Sequence, residues 1–405
     1  MTRPPTRFLD RKSPPHIATL VLIAGLSALA MNIFLPSLPG MAVWFGVPYG
    51  TMQQSVTLYI ALTAALQIVI GPLSDRFGRR KVTLAALALF LAFTLGTLVA
   101  PNATVFLACR MGQAVVAAGM VMARAIVRDL VADAEAASMI GYVTMGMSLV
   151  PMIGPLIGGF LDEAFGWQAS FGFLFLVGLA TLLLVWADLG ETSTASGTSF
   201  LKQVRQYPRL LVSRRFWGYA LSAGFASGAF FAYLGGAPFV GTTVFHLTPA
   251  QIGASFALTA IGYTAGNFLA ARLSVRVGMN RMVLWGGCIT AAAMAVLLAL
   301  TCAGLSGPAM FFALTMFMGV GNGVSLPNAN AGILSVRPEL AGTAAGLGGA
   351  IMMGGGAALA ALTAALLERG ESEVPLILVM LVSSLLSALS ILWVMRRARA
   401  LGLRP

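Results

Sequence analysis

Apolar windows long enough to cross a bilayer recur along almost the whole chain, and nothing else in the sequence limits the fold as tightly. A helix needs about 20 apolar residues to cross about 30 Å of hydrocarbon, and inside lipid every backbone polar group must be satisfied within the chain. Twelve windows qualify: 17–39, 53–73, 82–100, 104–130, 137–161 and 168–188, then 216–240, 250–273, 281–303, 308–333, 341–366 and 374–395. The sequence therefore predicts an all-α membrane protein of twelve transmembrane helices. Only 9% of its 405 residues are charged, against about a quarter in soluble domains, which argues against a cytosolic enzyme. The longest polar interval, Asp188 to Arg215, divides the windows six and six, and its Thr-Ser-Thr-Ala-Ser-Gly stretch reads as the start of a flexible linker. The expected organisation is a six-helix bundle over 1–188, a central loop over 189–215 and a second six-helix bundle over 216–405.

The net charge of +12 would suggest nucleic acid in a soluble protein, yet here the basic residues sit between apolar runs and report topology. With the N-terminus inside, 23 of the 25 Lys and Arg fall on the cytoplasmic side, Arg369 falls outside, and Arg110 is left within a span. Both termini are thus expected on the cytoplasmic side of the membrane, and no nucleic-acid partner is expected. Arg3, Arg7, Arg11 and Lys12 precede the first window and Ala28-Leu29-Ala30 imitates a cleavage site, but the apolar run continues to Leu38, as in a retained first span. Cys109, Cys288 and Cys302 lie within apolar segments without paired spacing, so neither a disulfide framework nor a metal site is expected, and no cofactor is implied.

An internal repeat supports two related halves. Leu73-Ser74-Asp75-Arg76-Phe77-Gly78 after span 2 corresponds to Leu273-Ser274-Val275-Arg276-Val277-Gly278 after span 8. Two pseudo-symmetric six-helix bundles ordinarily enclose a site near the midplane and alternate its access by rocking against each other. Coincidence between two short basic loops is the competing account.

Gly71-Pro72-Leu73-Ser74-Asp75-Arg76-Phe77-Gly78-Arg79-Arg80-Lys81 is the most specific string. Its glycines permit close helix approach, Asp75 can pair with an arginine or cap a helix, and the basic cluster holds the loop inside. The string resembles the loop 2–3 signature of the major facilitator superfamily. Ala123-Arg124-Ala125-Ile126-Val127-Arg128-Asp129-Leu130 narrows the resemblance to the Bcr/CflA drug-efflux branch, the twelve-span drug–proton antiporters. Arg124 and Arg128 share a helix face, and Asp129 follows at the membrane edge. The resemblance implies a cytoplasmic cluster of Asp75, Arg79 and Asp129 that latches the outward-facing state; a solvated ionic surface is the alternative. Gly154-Pro155-Leu156-Ile157-Gly158-Gly159, preceded by Gly146 and Pro151, resembles the antiporter motif of exporters, although small-residue packing alone also accounts for the glycines. Phe165-Gly166-Trp167-Gln168, Arg215-Phe216-Trp217-Gly218-Tyr219 and Gly235-Gly236-Ala237-Pro238-Phe239-Val240 extend the match over most of the chain.

Arg110 lies about seven residues into span 4, where a charge is costly unless it meets a partner or an aqueous cavity. Arg110-Met111-Gly112-Gln113 is similar to the span 4 pattern of the drug–proton antiporters. Asn32 should sit at the same depth in span 1, at about 1.5 Å rise per residue, and face the same cavity. The resemblance implies an aspartate at that position in many relatives, whereas here none of the 13 acidic residues falls in the interior of a span, Asp129 and Asp188 standing at the cytoplasmic ends of theirs. Arginine does not release its proton, so the coupling group stays open between Asp75 or Asp129 at the cytoplasmic mouth, a proton carried by the substrate, and uncoupled transport. Additional lining groups, chosen for being polar or aromatic within spans, are Tyr59, Gln67, Gln113, Asn267 and Asn322. A cavity with Arg110 and no facing carboxylate favours neutral, zwitterionic or anionic substrates over lipophilic cations. The chain is expected to be a monomeric exporter of small amphipathic drugs by proton antiport. The alternative is a metabolite or amino-acid exporter, or an uncoupled facilitator, of the same fold; no nucleophile elbow, metal spacing or buried His/Asp/Glu cluster supports an enzyme.

Overall fold

The computed structural model describes residues 8–130, 139, 150, 153–192, 207–337, 340–370 and 372–400. Helices named for the expected spans are α1 (Ile17–Asn32), α2 (Tyr49–Phe77), α3 (Arg79–Leu98), α4 (Ala103–Gln113, continued by Ala114–Ala117 and Ala118–Leu130), α5 (described over 153–165) and α6 (Gln168–Asp188). The second half holds α7 (Arg214–Phe239), α8 (Pro249–Val277), α9 (Met279–Cys302), α10 (Pro308–Ser335), α11 (Ala341–Leu367) and α12 (Val374–Ala400). No strand occurs among the described residues. Among the described residues, ten helices are long and apolar enough to cross a membrane. Of the remaining two, α5 is described only in part, and α8 is a 29-residue helix carrying more small and polar side chains. The linker stretch after Thr192, with Gly146 and Pro151 of the antiporter pattern, lies outside the described residues.

Where helices and windows differ, local chemistry explains it. Helix α1 stops at Asn32, earlier than the window ending at 39, because Pro36 and Pro39 offer no N–H. A 3-10 turn (Leu35–Ser37) and a short helix (Leu38–Phe45) carry the chain on, and Gly46 ends that helix at φ 63°. Helices α2 and α8 run past their windows to Phe77 and Val277, since polar residues remain helical beyond the hydrocarbon edge. Pro238 lies inside α7, which loosens into a π turn over Val240–Val244.

Helix α3 packs on α6 and α4, and α1 on α4 and α6; in the second half α7 packs on α11 and α12, α8 on α10, and α9 on α10 and α12. Leu89, Leu176, Leu183, Trp285 and Leu389 point outward, as expected of a lipid-facing surface. The repeat is visible in the backbone. Gly78 and Gly278 have φ, ψ of 96°, 143° and 90°, 141°, a region that L side chains rarely adopt, and each N–H donates to the carbonyl of the matching serine, Ser74 or Ser274, at 2.9 Å. Two chain segments 200 residues apart thus make the same turn with the same bond.

The end at which α1 begins and α12 finishes is called the terminal end below, and the opposite end the far end. One apolar core runs through both halves and includes the far-end residues Leu38, Tyr49, Phe245 and Phe311. At the terminal end the second half keeps a separate core around Phe216, Tyr219, Ile333 and Ile391.

Candidate functional site

Arg110 is fully buried in the first half. Its guanidinium donates to the Gln113 side-chain oxygen and to the Ala30 carbonyl, both at 2.8 Å, and Gln113 donates onward to the Thr94 hydroxyl at 2.8 Å. The guanidinium carbon lies 3.9 Å from the Tyr59 ring centroid and 4.4 Å from that of Phe34. Each contact has a local origin. Arg110 and Gln113 are three residues apart on α4 and share a face. The early end of α1 leaves the Ala30 carbonyl among that helix's terminal acceptors. Two aromatic faces stabilise a desolvated cation by about 2 kcal/mol or more apiece, which offsets part of the cost of burying it.

Asn32 is also fully buried, its side-chain N–H donating to the Ala28 carbonyl at 2.7 Å. Arg110 meets α1 two residues before Asn32, so the two reach α1 at about one level, as their depth in sequence requires. They do not line an open cavity: both are enclosed within the first half, because Arg110 turns onto the α1 carbonyl and Asn32 onto its own helix. The Asn32 oxygen and the Arg110 Nε are buried without a hydrogen-bond partner among the described residues. Unpaired buried polar atoms cost about 1–3 kcal/mol each, so these two atoms are where a polar ligand group gains most.

The remaining lining candidates are dispersed. Tyr59 and Gln113 belong to the Arg110 cluster. Gln67 reaches across the halves to the Met353 sulfur at 3.7 Å, Asn267 donates to its own helix at the Tyr263 carbonyl at 3.0 Å, and Asn322 is buried in α10 with an unpaired amide nitrogen. Phe34, Thr94 and the Ala30 carbonyl complete the cluster and were not anticipated, since a ring, a hydroxyl and a backbone oxygen in apolar runs carry no distinguishing pattern.

At the far end the halves are joined. The Tyr49 hydroxyl donates to the Gly235 carbonyl at 2.6 Å, its ring stacks on Phe239 at 4.9 Å, and the Gln53 amide donates to the Ala360 carbonyl at 3.2 Å. Two carboxylates take amides at the start of helices in the opposite half: Glu368, after α11, accepts from Gly50 of α2 at 2.8 Å, and Glu163 of α5 accepts from Ala250 of α8 at 3.3 Å. These two contacts are exchanged by the same pseudo-symmetry that relates Gly78 to Gly278. Beside the Tyr49–Phe239 contact a crevice of about 550 Å³ is bordered by Val43, Gly46, Tyr49, Phe239, Thr242 and Thr243. The antiporter-like glycines explain how α5 gets so close. A Cβ on Gly154 would press on Leu29, one on Gly158 on the Ile33 carbonyl, and one on Gly159 on the Pro249 carbonyl. On the facing helix, a Cβ on Gly253 would meet the carbonyl of Pro155. Just beyond span 5, burial raises the Asp162 carboxyl above the usual carboxylate range, with the Glu163 charge adding to the rise and the Ser37 hydroxyl opposing it.

At the terminal end Arg79 pairs with Asp75 and with Asp129, the latter at 2.9 Å, and also bonds the Ser74 hydroxyl, whose own proton goes to the Gly71 carbonyl. The Arg79 amide donates to Glu191 at 2.7 Å, which tucks against Gly78, where a side chain would collide with it. Arg80 donates to the Leu189 and Trp186 carbonyls, and Arg76 lies over the Phe77 ring at 5.3 Å. Arg124 is exposed on α4; Arg128 follows one turn later on the same helix. The expected Asp75–Arg79–Asp129 cluster therefore assembles, but from α2, α3 and α4 of one half, and it is complete while the far end is joined.

Asp188, which terminates α6, is fully buried and accepts from the Leu9 amide at 2.9 Å, the His16 amide at 2.9 Å and the Thr19 hydroxyl at 2.6 Å. It fixes the residues preceding α1 to the first half. An acid closing an apolar run was the one visible signal for it.

The family model described as the Major Facilitator Superfamily matches residues 20–360 and 237–404. The chain is 32% identical over 338 residues to the "Chloramphenicol resistance protein" of Pseudomonas aeruginosa, covering 80% of this chain and 78% of that one. It is 30% identical over 309 residues to the "Uncharacterized MFS-type transporter YdgK" of Bacillus subtilis (74% and 75% covered), and 28% identical over 374 residues to "Multidrug resistance protein D" of Escherichia coli (89% and 91%). Among solved structures, a bacterial homologue of the human lysosomal transporter Spinster superposes with a TM-score of 0.72 at 18% identity, covering 95% of this chain and 96% of that one.

Proposed function

The chain belongs to the major facilitator superfamily, and from that premise we propose that it exports small amphipathic drugs or toxic compounds across a bacterial inner membrane by alternating access driven by proton antiport. The observation that carries this reading is the similarity, over about four fifths or more of the chain, to proteins named for chloramphenicol and multidrug resistance. The joined far end, with glycines of α5 and α8 set against opposing carbonyls, supports a structure caught on one side of such a cycle. Both termini are cytoplasmic on this reading, so the terminal end faces the cytoplasm and the structure is the inward-facing side of the cycle. The protein works as a monomer of two units, 1–188 and 216–405, joined by the loop 189–215.

In this cycle a substrate entering from the cytoplasm reaches the level of Asn32 and Arg110. The unpaired Asn32 oxygen accepts a hydrogen bond, and Arg110 Nε donates one as its guanidinium shifts between the Phe34 and Tyr59 rings. Tyr59 and Gln113 hold the guanidinium, and Gln67, which reaches across the halves to Met353, stands on the way to it. Separation of α5 from α8 and of α2 from α11 then opens the far end. With a fixed cation and no carboxylate along the path, neutral, zwitterionic or anionic compounds are preferred to lipophilic cations.

Asn32 in place of an acid favours a second reading, a facilitator or metabolite exporter of the same fold without proton coupling. Efflux from cells lacking their own pumps, comparing a neutral amphenicol with ethidium and with amino acids, separates these. Preferential efflux of the amphenicol supports the proposal; equal efflux of ethidium overturns the substrate preference, and selective amino-acid efflux overturns the drug-export reading.

A further inference from the structure

Five arginines converge at the terminal end of the second half, on the side away from the Asp75–Arg79–Asp129 cluster. Arg209, Arg214, Arg215, Arg337 and Arg397, with Val212 and Ser213, border a pocket of about 550 Å³, and none of the described residues lining it is acidic. They arrive from four places: the short helix Tyr207–Leu211, the first turn of α7, the connection after α10 and the last turns of α12. Retention of basic loops in the cytoplasm requires only that arginines lie on one side of the membrane; it does not require them to share one concavity.

Two of the five arginines stand where the helix itself repels a cation. Arg214 and Arg215 stand at the start of α7, the positive end of the helix, where cations are disfavoured. The Ser213 hydroxyl accepts the Phe216 amide at 3.3 Å, and Arg215 donates to the Ser335 hydroxyl at 3.4 Å; both partners are neutral. Arginine's planar fork suits phosphate oxygens in particular.

The surroundings set the level of the pocket. The Trp217 indole N–H donates to the Leu211 carbonyl at 2.8 Å, placing an aromatic amphipath at the helix entry, as at membrane–water interfaces. Beside it Val212 is 82% exposed, an apolar side chain at the rim of a cationic pocket. A soluble anion gains nothing from an apolar rim, whereas a phospholipid presents a phosphate and an acyl boundary together.

We propose that this arginine pocket binds the phosphate of an anionic phospholipid headgroup in the leaflet at the terminal end. The chemistry shared with inorganic phosphate is the oxyanion; the apolar rim and the interfacial tryptophan favour the lipid. The site is separate from the transport pathway and does not depend on which solute is carried.

The test is lipid retention by the purified full-length protein in detergent, read by native mass spectrometry with phosphatidylglycerol or phosphatidylcholine added. Juxtamembrane basic charges contribute about fivefold each to anionic-lipid binding, so wild type should retain phosphatidylglycerol at least about tenfold over phosphatidylcholine. The triple variant Arg209→Gln/Arg214→Gln/Arg397→Gln should lose that preference, and the corresponding triple lysine variant should keep most of it. Arg272→Gln/Arg276→Gln, in the 8–9 connection, should leave it unchanged. Equal retention of both lipids by wild type overturns the proposal, as does undiminished preference in the glutamine variant. Displacement of phosphatidylglycerol by excess inorganic phosphate, with the same arginine dependence, also overturns it by assigning the pocket to a soluble anion. If the triple glutamine variant does not fold, the double variant Arg209→Gln/Arg397→Gln, which spares the first turn of α7, decides: a reduced preference supports the proposal and an undiminished one overturns it.

Discussion

Gly253→Ala should open the far end. The added Cβ would be placed against the Pro155 carbonyl of α5, a backbone atom that cannot rotate away as a side chain would. Overpacking a tight contact costs about 1–3 kcal/mol, and this cost falls only on the state in which α5 and α8 touch. A bias of that size multiplies the open-to-closed ratio about 5- to 150-fold, at about 1.4 kcal/mol per factor of ten. The assay is a distance distribution between spin labels at Val43→Cys and Thr243→Cys, on opposite walls of the far-end crevice, in a background with Cys109, Cys288 and Cys302 replaced. Wild type should give mainly the short distance and Gly253→Ala mainly a longer one. Gly158→Ala is the internal control, because its Cβ meets the Ile33 carbonyl of the same half; it should lower thermal stability without favouring the long distance. A Gly253→Ala distribution identical to wild type would refute the assignment of the α5–α8 contact to the gate.

Three further outcomes follow from the same geometry. Arg110→Lys retains the charge but cannot serve the Ala30 carbonyl and Gln113 together; leaving one unserved costs about 1–3 kcal/mol, so melting temperature should fall and flux drop more than tenfold, and wild-type flux in this variant contradicts the cluster's role. Asp162 holds its proton to higher pH when buried beside the joined far end, so its protonation is favoured in that state over one in which it is solvated. The stabilisation it gives the joined state is present at low pH and is lost as pH rises through its raised pKa; acidification should therefore increase the short-distance population in wild type, and Asp162→Asn should flatten that dependence. Asp129→Asn removes one of the two carboxylates on Arg79, a pair whose side chains are 11% and 22% exposed; a loss of about 1 kcal/mol in stability is expected, with the far-end distance unchanged, and a changed distance would restore the expected state-specific latch.

Much of the scaffold was legible because the bilayer enforces it. Helix α6 begins and ends where its apolar window does, at 168 and 188, since hydrocarbon thickness and helix rise leave little freedom. The Gly78 and Gly278 turns were visible as matching strings because only glycine takes that backbone conformation. The Asp75–Arg79–Asp129 cluster was legible through the motif and falls wholly within 1–188, but the Ser74 and Glu191 contacts to Arg79 were not, as neither residue stands out in the sequence. Arg110 was singled out by the cost of its charge. Gln113 and Tyr59 were among the sequence candidates, but two other partners escaped notice because Phe34 looks like any apolar residue and the Ala30 carbonyl is freed only by the break that follows it. Glu163 and Glu368 read as ordinary loop acids, and their roles depend on amides contributed from the opposite half. Asn32 illustrates the limit from the other side: sequence places it at the right depth, and only the structure turns its amide onto Ala28.

Uphill drug transport in proteoliposomes, with and without an imposed pH gradient, tests the central claim most directly. The account predicts that the wild-type protein, loaded with a neutral amphipathic drug on its terminal-end side, drives the drug against its concentration gradient only when the far-end side is the more acidic, and that Asn32→Asp steepens that dependence. Wild-type flux that follows the drug gradient alone, unchanged by the proton gradient, would contradict proton-driven export.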